Sequence, residues 1–597
     1  MRELSVPRLY DVPPGANLAG IVIDNAARHP DKAVLARKVS GQWQDVTTTA
    51  FLAEVRTVAK GLIGSGVRPG DRVALMSRTR YEWTLLDFAI WLAAAVPVPV
   101  YETSSAEQIE WIISDSGAVA CIIETDAHRS VLEEVRPRLP LLTHLWQIEA
   151  GGVDELIAAG HDVTDAQVDE AASAAGPDSL ATINYTSGTT GRPKGCVLTH
   201  RNFLAECGNT MARNTPLFRE DSSVLLFLPL AHVLARVIEV GAMMGMVKLG
   251  HVSDVKNVTE ELGRFRPTFL LGVPRVFEKV YNSARAQART GGKEKIFELA
   301  ADTAIAYSRA LETPSGPGFG LKLKHRVLDR LVLSRLRAAL GGRTTHAISG
   351  GAALGERLGH FYRGLGLTVL EGYGLSESCA ASTLNPHDRQ KIGTVGLPLP
   401  CTSVSIADDG EILLRGEHIF QGYWNNEKAT AQALVDGWFH TGDLGTLDDE
   451  GYLRITGRKK EIIVTAGGKN VAPAVIEDRI RAHALVGECM VVGDGKPFIG
   501  ALVTLDSEFL PRWAKEHGKP EDTPAARLRE DPDLLAEIQR AIDDGNAAVS
   551  KAESVRKFRV LDIQFTEASG HLTPSLKLKR NVVLRDYADE IEAIYSS

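Results

Sequence analysis

The chain alternates short, nearly uninterrupted apolar runs with longer stretches in which apolar residues recur every three or four positions. The first texture marks strands buried on both faces, and the second marks amphipathic helices. "DRVALMS" (71–77), "AVACIIET" (118–125), "SVLLFLPL", "TFLLGV", "THAIS" and "LTVLEGYG" read as strands. Residues 81–95 read as a helix, and charged helical spacing continues around 284–311 and 321–340 across the loop "TPSGPGFG". The pattern predicts an α/β protein whose large N-terminal domain is built of layered, mostly parallel sheets with flanking helices. Residues 150–179, rich in Ala, Gly and Asp, read as a solvated insertion or connection.

After residue 396 the texture changes. "GEILLRG", "GYLRIT" and "KEIIVTAGG" are short strand-like runs between Gly and Asp turns, followed by helical spacing over 472–482 and two further strands, "CMVVGD" and "FIGALVTL". The boundaries read as a large domain over 1–457, strand-rich from 396, and a small α+β C-terminal domain over 458–597. "HGKPEDTPAARLREDPD" reads as a polar loop, and no internal repeat of fixed period is present.

Composition narrows the class. A chain of 597 residues with 44% hydrophobic and 24% charged residues is an ordinary globular protein of about two to four domains. A net charge of −8 with no extended run of cations excludes a nucleic-acid partner. Six cysteines stand apart, without a CxxC pair or an HExxH cluster, so neither a zinc site nor a disulfide framework is expected. The N-terminus lacks the apolar core of a signal peptide. The longest apolar run, "AIWLAAAVPVPV" (89–100), holds two prolines and falls short of the roughly twenty residues a membrane span needs. The chain is expected to be cytoplasmic, with no transmembrane span and with peripheral membrane contact left open.

The candidate chemistry begins at "YTSGTTGRPKG", Tyr185 to Gly195. Glycines expose backbone N–H groups, Thr186, Ser187, Thr189 and Thr190 offer hydroxyls, and Arg192 and Lys194 add positive charge, which together suit a nucleotide phosphate. The Walker pattern fails, because Pro193 precedes Lys194 and Gly195 stands where a magnesium-binding hydroxyl belongs. "YGLSES" follows the strand "LTVLEG", the place where α/β sheets hold ligands. There Tyr373 could stack on a base and Glu377 could bind Mg²⁺, although a capped helix start explains the same residues. Asp443 in "FHTGDLG" could accept a ribose diol or be a turn aspartate. His232 in "LPLAHVLAR" has the setting of a core histidine, and the cations of "GRKKEIIVTAGGKNVAP" and "LTPSLKLKRN" have that of a solvated surface.

The order of these motifs along one chain resembles the adenylate-forming superfamily of acyl-CoA synthetases, luciferases and peptide-synthetase adenylation domains, over nearly the whole length. Within it, "LPLAHVLAR", "VPRVFEKV", "VYETSS" and "LTPSLKLKR" resemble long-chain fatty acyl-CoA synthetases. The resemblance implies a ligase with ATP, Mg²⁺, coenzyme A and a long-chain fatty acid as its partners. It implies that Thr186, Ser187, Gly188, Thr189, Thr190, Gly191 and Lys194 hold the β- and γ-phosphates, and that Thr186 and Glu377 support the metal. Gly351, Gly372 and Tyr373 would frame the adenine, Ser376 would approach the α-phosphate, Asp443 would hold the ribose and His232 would lie near the acyl carboxylate. Arg458 would sit at the domain junction with Lys460 as the hinge. The small domain would swing, presenting Lys577 for adenylation and the loop with Gly467 and Gly468 for thioester formation.

Three departures stand out. Ser376 replaces the usual threonine and keeps the hydroxyl. Leu576 replaces the usual glycine before the lysine, and Lys577 rather than Lys579 is taken as that lysine. Arg236 occupies a position where some members carry a tryptophan that gates the acyl tunnel. A fatty acyl-AMP ligase, which commonly carries an insertion near the domain junction, a peptide-synthetase adenylation domain and a non-catalytic nucleotide-binding partner of the same fold are the alternatives.

Overall fold

The computed structural model describes residues 1–186, 192–573 and 577–596. Its largest sheet has nine strands. The six at its centre run parallel, in the order Ala33–Val39, Lys248–His251, Ser223–Leu226, Phe269–Gly272, His346–Ser349 and Thr368–Tyr373. Three of these end at or within one residue of a candidate motif: Ser223–Leu226 before "LPLAH", His346–Ser349 before Gly350 and Gly351, and Thr368–Tyr373 before "GLSE". The sheet therefore delivers these motifs to one edge, the carboxyl ends of its strands.

A second, four-stranded parallel sheet contains Val96–Val100, Arg72–Met76, Ala120–Ile123 and His144–Gln147. Val96–Val100 carries the two prolines of the longest apolar run and lies at the sheet edge, where a strand can lack ladder N–H donors. Every residue of that run, 89–100, is buried, so it forms core and not a membrane contact. An antiparallel third sheet ties Glu3–Ser5 to Thr402–Ile406 and continues through Glu411–Gly416 to Trp438–Leu447, which pairs with Leu453–Arg458. Beyond it, Val486–Val492, Ile499–Leu505 and Val555–Leu561 form a small sheet. Its core, with Ile476, Ile480, Val503, Leu534 and Ile538, is separate from the cores of the larger part.

Several expectations are corrected. Residues 150–179 are not a solvated connection, for they contain the helices Gly152–Ala159 and Asp165–Ser173, with Leu156 and Val168 wholly buried. Gly160 in this segment serves close packing: a Cβ there would fall 2.6 Å from the Gly61 backbone nitrogen, and a Cβ on Gly61 would fall 2.0 Å from the Leu156 carbonyl oxygen. The helical spacing around 284–311 is two helices, Pro274–Thr290 and Glu294–Ala310, broken at Gly291 and Gly292. "KEIIVTAGG" forms only the two-residue strand Ile463–Val464, and a short helix, Ala525–Leu528, interrupts the polar loop.

Arg236 lies in the core. It has no exposed surface and makes a two-pronged ion pair with Asp87, Nε at 2.8 Å and Nη2 at 2.6 Å, while Nη1 donates to Thr182 Oγ1 at 2.7 Å. Burial raises the Asp87 carboxyl and the guanidinium opposes that shift. Removing one member of such a pair strands a buried charge, whereas replacing both with apolar groups does not. Arg236→Met is expected to lose about 3–5 kcal/mol of unfolding free energy. Asp87→Leu combined with Arg236→Met is expected to recover most of it in the same denaturant titration, and equal losses in both variants would refute the account.

Candidate active site

Leu180–Thr186 and Lys194–Thr199 form an antiparallel hairpin with Thr186 opposite Lys194. The loop at its tip contains Ser187, Gly188, Thr189, Thr190 and Gly191, which lie outside the described residues. It joins two antiparallel strands, unlike a Walker loop, which runs from a strand into a helix. The two arms are fixed by side chains. The Tyr185 hydroxyl donates to Asp115 at 2.6 Å, and the Lys194 ammonium sits 4.0 Å from the centroid of the Tyr423 ring.

The facing wall grows from Thr368–Tyr373. A Cβ at Gly374 would lie 1.6 Å from the Ala380 carbonyl oxygen, so only glycine lets the chain turn there. The turn leads into a single 3-10 turn, Ser376–Ser378. The Glu377 backbone carbonyl accepts from the Phe420 N–H at 2.8 Å, and its carboxylate accepts from the Tyr423 hydroxyl at 2.7 Å. Tyr423 thus touches both the hairpin lysine and the candidate metal-binding carboxylate.

Asp443 and Arg458 are register partners on adjacent strands, Trp438–Leu447 and Leu453–Arg458. Asp443 is buried; one carboxylate oxygen accepts from the Tyr373 hydroxyl at 2.8 Å and the other from Arg458 Nε at 2.9 Å. A carboxylate has about four acceptor positions, so both oxygens retain capacity for a diol. Burial and the Asp443 charge hold the Tyr373 phenol well above its usual range, which keeps it a donor. Its ring is tethered by that bond.

These walls enclose a cavity of about 830 Å³. Thr186, Lys194, His232, Gly351, Gly372, Tyr373, Ser376, Glu377, Asp443, Arg458, Lys460 and Lys577 all line it. Lys577 enters from the C-terminal part, and burial together with the Arg458 charge lowers its ammonium below the usual lysine range, against the pull of Asp443 and Glu377. His232 caps the helix Val233–Met244, its Nδ1 accepting from the Leu234 N–H at 3.2 Å. Burial, helped by Lys577, pushes it down to about 4. The ring is therefore neutral at pH 7 with its proton on Nε2, a donor suited to a carboxylate oxygen.

Gly467 and Gly468 are not brought to the cavity; both are exposed. Arg236 does not line it either. Tyr423 and Arg580 line it without having been singled out as site residues. Arg580 is held by Glu477 at 2.7 and 2.9 Å and by the Val491 carbonyl at 2.8 Å. Nothing in the local sequence of Tyr423 signals its role, since its partner Glu377 is 46 residues away. Among the described residues no group of three His, Cys, Asp or Glu side chains could cage a metal, and none of the cysteines is paired. The candidate donors Glu377 and Thr186, one carboxylate and one hydroxyl, both line the cavity. This sparse set fits magnesium, which keeps its waters and is shared with substrate phosphates.

The chain belongs to the AMP-binding enzyme family: the family's main model matches residues 22–424 and the model of its C-terminal domain matches 460–597. It is 51% identical over 599 residues to the long-chain-fatty-acid–CoA ligase FadD15 of Mycobacterium bovis, with each chain covered in full. Its fold is similar to that of the anthranilate CoA ligase AuaEII solved with anthranoyl-AMP, with a TM-score of 0.73 and 21% identity over 98% of this chain and 99% of that one. It is also similar to O-succinylbenzoate coenzyme A synthetase (MenE) of Bacillus subtilis solved with ATP and a magnesium ion, at a TM-score of 0.67 and 21% identity over 95% and 99%. No helix among the described residues is long and apolar enough to cross a membrane.

The His232 geometry is directly testable. In a ¹⁵N-histidine NMR titration, with His232→Gln used for assignment, Nδ1 should show an unprotonated shift at pH 7 and no titration down to pH 5.5. A titration midpoint at or above pH 6 would remove the neutral donor from the site.

Proposed function

We propose that this chain is an ATP-dependent long-chain-fatty-acid–CoA ligase that works in two half-reactions at this cavity. A carboxylate oxygen of the acid attacks the α-phosphorus, the bond from that phosphorus to the bridging oxygen breaks, and pyrophosphate leaves. The sulfur of coenzyme A then attacks the acyl carbon, its proton is released, and the carbon–oxygen bond to AMP breaks. The observation that carries the reading is the convergence of Lys194, Glu377, Asp443 and Arg458 with the distant Lys577 on one cavity. The full-length relative named for this activity supports the acid's length class.

The first step brings an anion toward a polyanion, so fixed positive charge and N–H donors dominate it. Lys194 and Thr186, with the 187–191 loop, take the β- and γ-phosphates. Lys577 faces the α-phosphate, Ser376 approaches it, and Asp443 holds the ribose. Gly351, Gly372 and the tethered ring of Tyr373 bound the adenine. His232 donates from Nε2 to the acyl carboxylate and orients it. Glu377 and Thr186 hold magnesium, which when bound neutralises phosphate charge. Tyr423 positions Glu377 through its hydroxyl and Lys194 through its ring.

The domains divide at 457/458, with Lys460 as the hinge, and the C-terminal domain turns between the two steps. Lys577 inside the cavity with Gly467 and Gly468 outside it suits the adenylating arrangement. Lys577→Ala should slow ATP–pyrophosphate exchange with palmitate by at least about 10²-fold, the scale of losing one positioned electrostatic group. The same variant should convert preformed palmitoyl-AMP and coenzyme A near the wild-type rate. Gly467→Leu should do the reverse by filling the pantetheine path. Position 467 is the cleaner choice, because Gly468 has φ +75°, where a leucine strains the backbone by itself. Impairment of the same half-reaction by both substitutions would end the alternating-face account.

Chain length is the second test. Each methylene buried from water contributes about 0.8 kcal/mol, so kcat/KM should climb by up to roughly fourfold per added methylene until the acyl site ends. A preference for acetate or benzoate over palmitate would overturn the substrate class.

A further inference from the structure

The helix Phe319–Leu328 continues through a π-helical turn, Asp329–Leu333, into Ser334–Ala339. Its inner face is firmly seated. Leu328 and Leu333 are buried, His325 stacks on Tyr307 at 4.1 Å and reaches the Gly364 carbonyl at 2.7 Å, and Arg337 binds the Leu365 carbonyl. The π turn lets Leu328 and Leu333, five residues apart, both face inward.

The outer face is unusual. Phe319 is 83% exposed, and Leu323, Val327 and Leu331 are each at least half exposed. They recur every fourth residue, which on a helix makes one stripe. Lys322, Arg326 and Arg330 recur at the same interval one position earlier, giving a parallel stripe of exposed cations, and Lys324 and Arg335 are exposed as well. Among the described residues none of these five cations makes an ion pair, and the segment's only carboxylate, Asp329, is taken by Arg337. The segment thus carries a local excess of cations on a chain of net charge −8.

We propose that this face docks on a membrane surface rich in anionic phospholipid, with the apolar stripe entering the headgroup boundary and the cations contacting lipid phosphates. A large protruding apolar residue beside unpaired Lys and Arg is the arrangement of helices that lie in that boundary. A second copy of the chain fits poorly, since a two-fold pairing of this face would bring two cation stripes together. The surface is separate from the catalytic cavity, and the proposal stands or falls independently of the active-site reading.

The test uses the full chain with vesicles of phosphatidylglycerol and phosphatidylcholine in equal parts, against pure phosphatidylcholine. The protein should co-sediment with the mixed vesicles at low salt and at least about tenfold less with the neutral ones or at high ionic strength. Phe319→Ser with Leu323→Ser, and separately Lys322→Glu with Arg326→Glu, should each weaken partition at least about tenfold. Both variants should keep the wild-type melting temperature and the wild-type ligase activity on detergent-dispersed fatty acid. A Leu323→Cys protein carrying an environment-sensitive fluorophore should shift to the blue on adding mixed vesicles, which reads the contact without destabilising charge changes. Wild-type protein that stays in the supernatant, variants that sediment like wild type, or a label that does not shift would each overturn the proposal. So would a concentration-dependent dimer, abolished by the serine variant, in the absence of vesicle binding.

Discussion

The buried carboxylate of Asp443 is the point on which the site's geometry hangs. It takes the Tyr373 hydroxyl from the end of the parallel sheet and Arg458 from the neighbouring antiparallel strand. Two sheets of different construction are thereby locked in one relative position, with their ends facing the same cavity. A charged hydrogen bond out of water is stronger than a neutral one, and leaving either partner unpaired there is costly. The same two bonds orient the tyrosine ring and fix the arginine at the place where the C-terminal part begins. Nucleotide binding, in the proposed mechanism, adds a ligand to an acceptor already held in place.

The other wall is organised by Tyr423, which does for Glu377 and Lys194 what Asp443 does for Tyr373 and Arg458. It joins an anion and a cation through two different faces, hydroxyl and π-cloud, so that neither is neutralised by direct pairing. A direct Lys194–Glu377 ion pair would consume the two charges that meet a magnesium nucleotide in the proposed mechanism. An aromatic residue between them keeps both available.

How much of this was legible in the sequence follows from what each residue does to its local pattern. Gly351, Gly372, Tyr373, Ser376 and Glu377 stand where apolar strand runs break into glycine and hydroxyl residues, and the parallel sheet brings those breaks to one edge. Tyr423 breaks no pattern, and its role comes from a backbone bond between Phe420 and Glu377 that docks one distant segment on another. Residues 150–179 misled for a different reason. Alanine and glycine are enriched both in solvated connections and where helix backbones approach closely, and composition does not separate the two; the Gly160–Gly61 approach does. Arg236 drew attention because the resemblance places a gating tryptophan there in some members; the sequence did not show that its charge is paired with Asp87 in the core.

The cavity's electrostatics connect site and domain arrangement. Lys194, Arg458, Lys459, Lys460, Lys577 and Arg580 face a smaller set of carboxylates. The Arg458 charge and burial together push the Lys577 ammonium downward, which is to say that charged Lys577 is held in this cavity at a cost. In the proposed mechanism an entering polyphosphate supplies the missing negative charge and turns that cost into a gain, so it favours the state in which the C-terminal part delivers Lys577. Departure of pyrophosphate removes most of that charge and restores the repulsion. In the proposed mechanism, the lysine that assists the first step therefore becomes, on completing it, a reason for the C-terminal part to leave, and the ordering of the two half-reactions needs no separate signal.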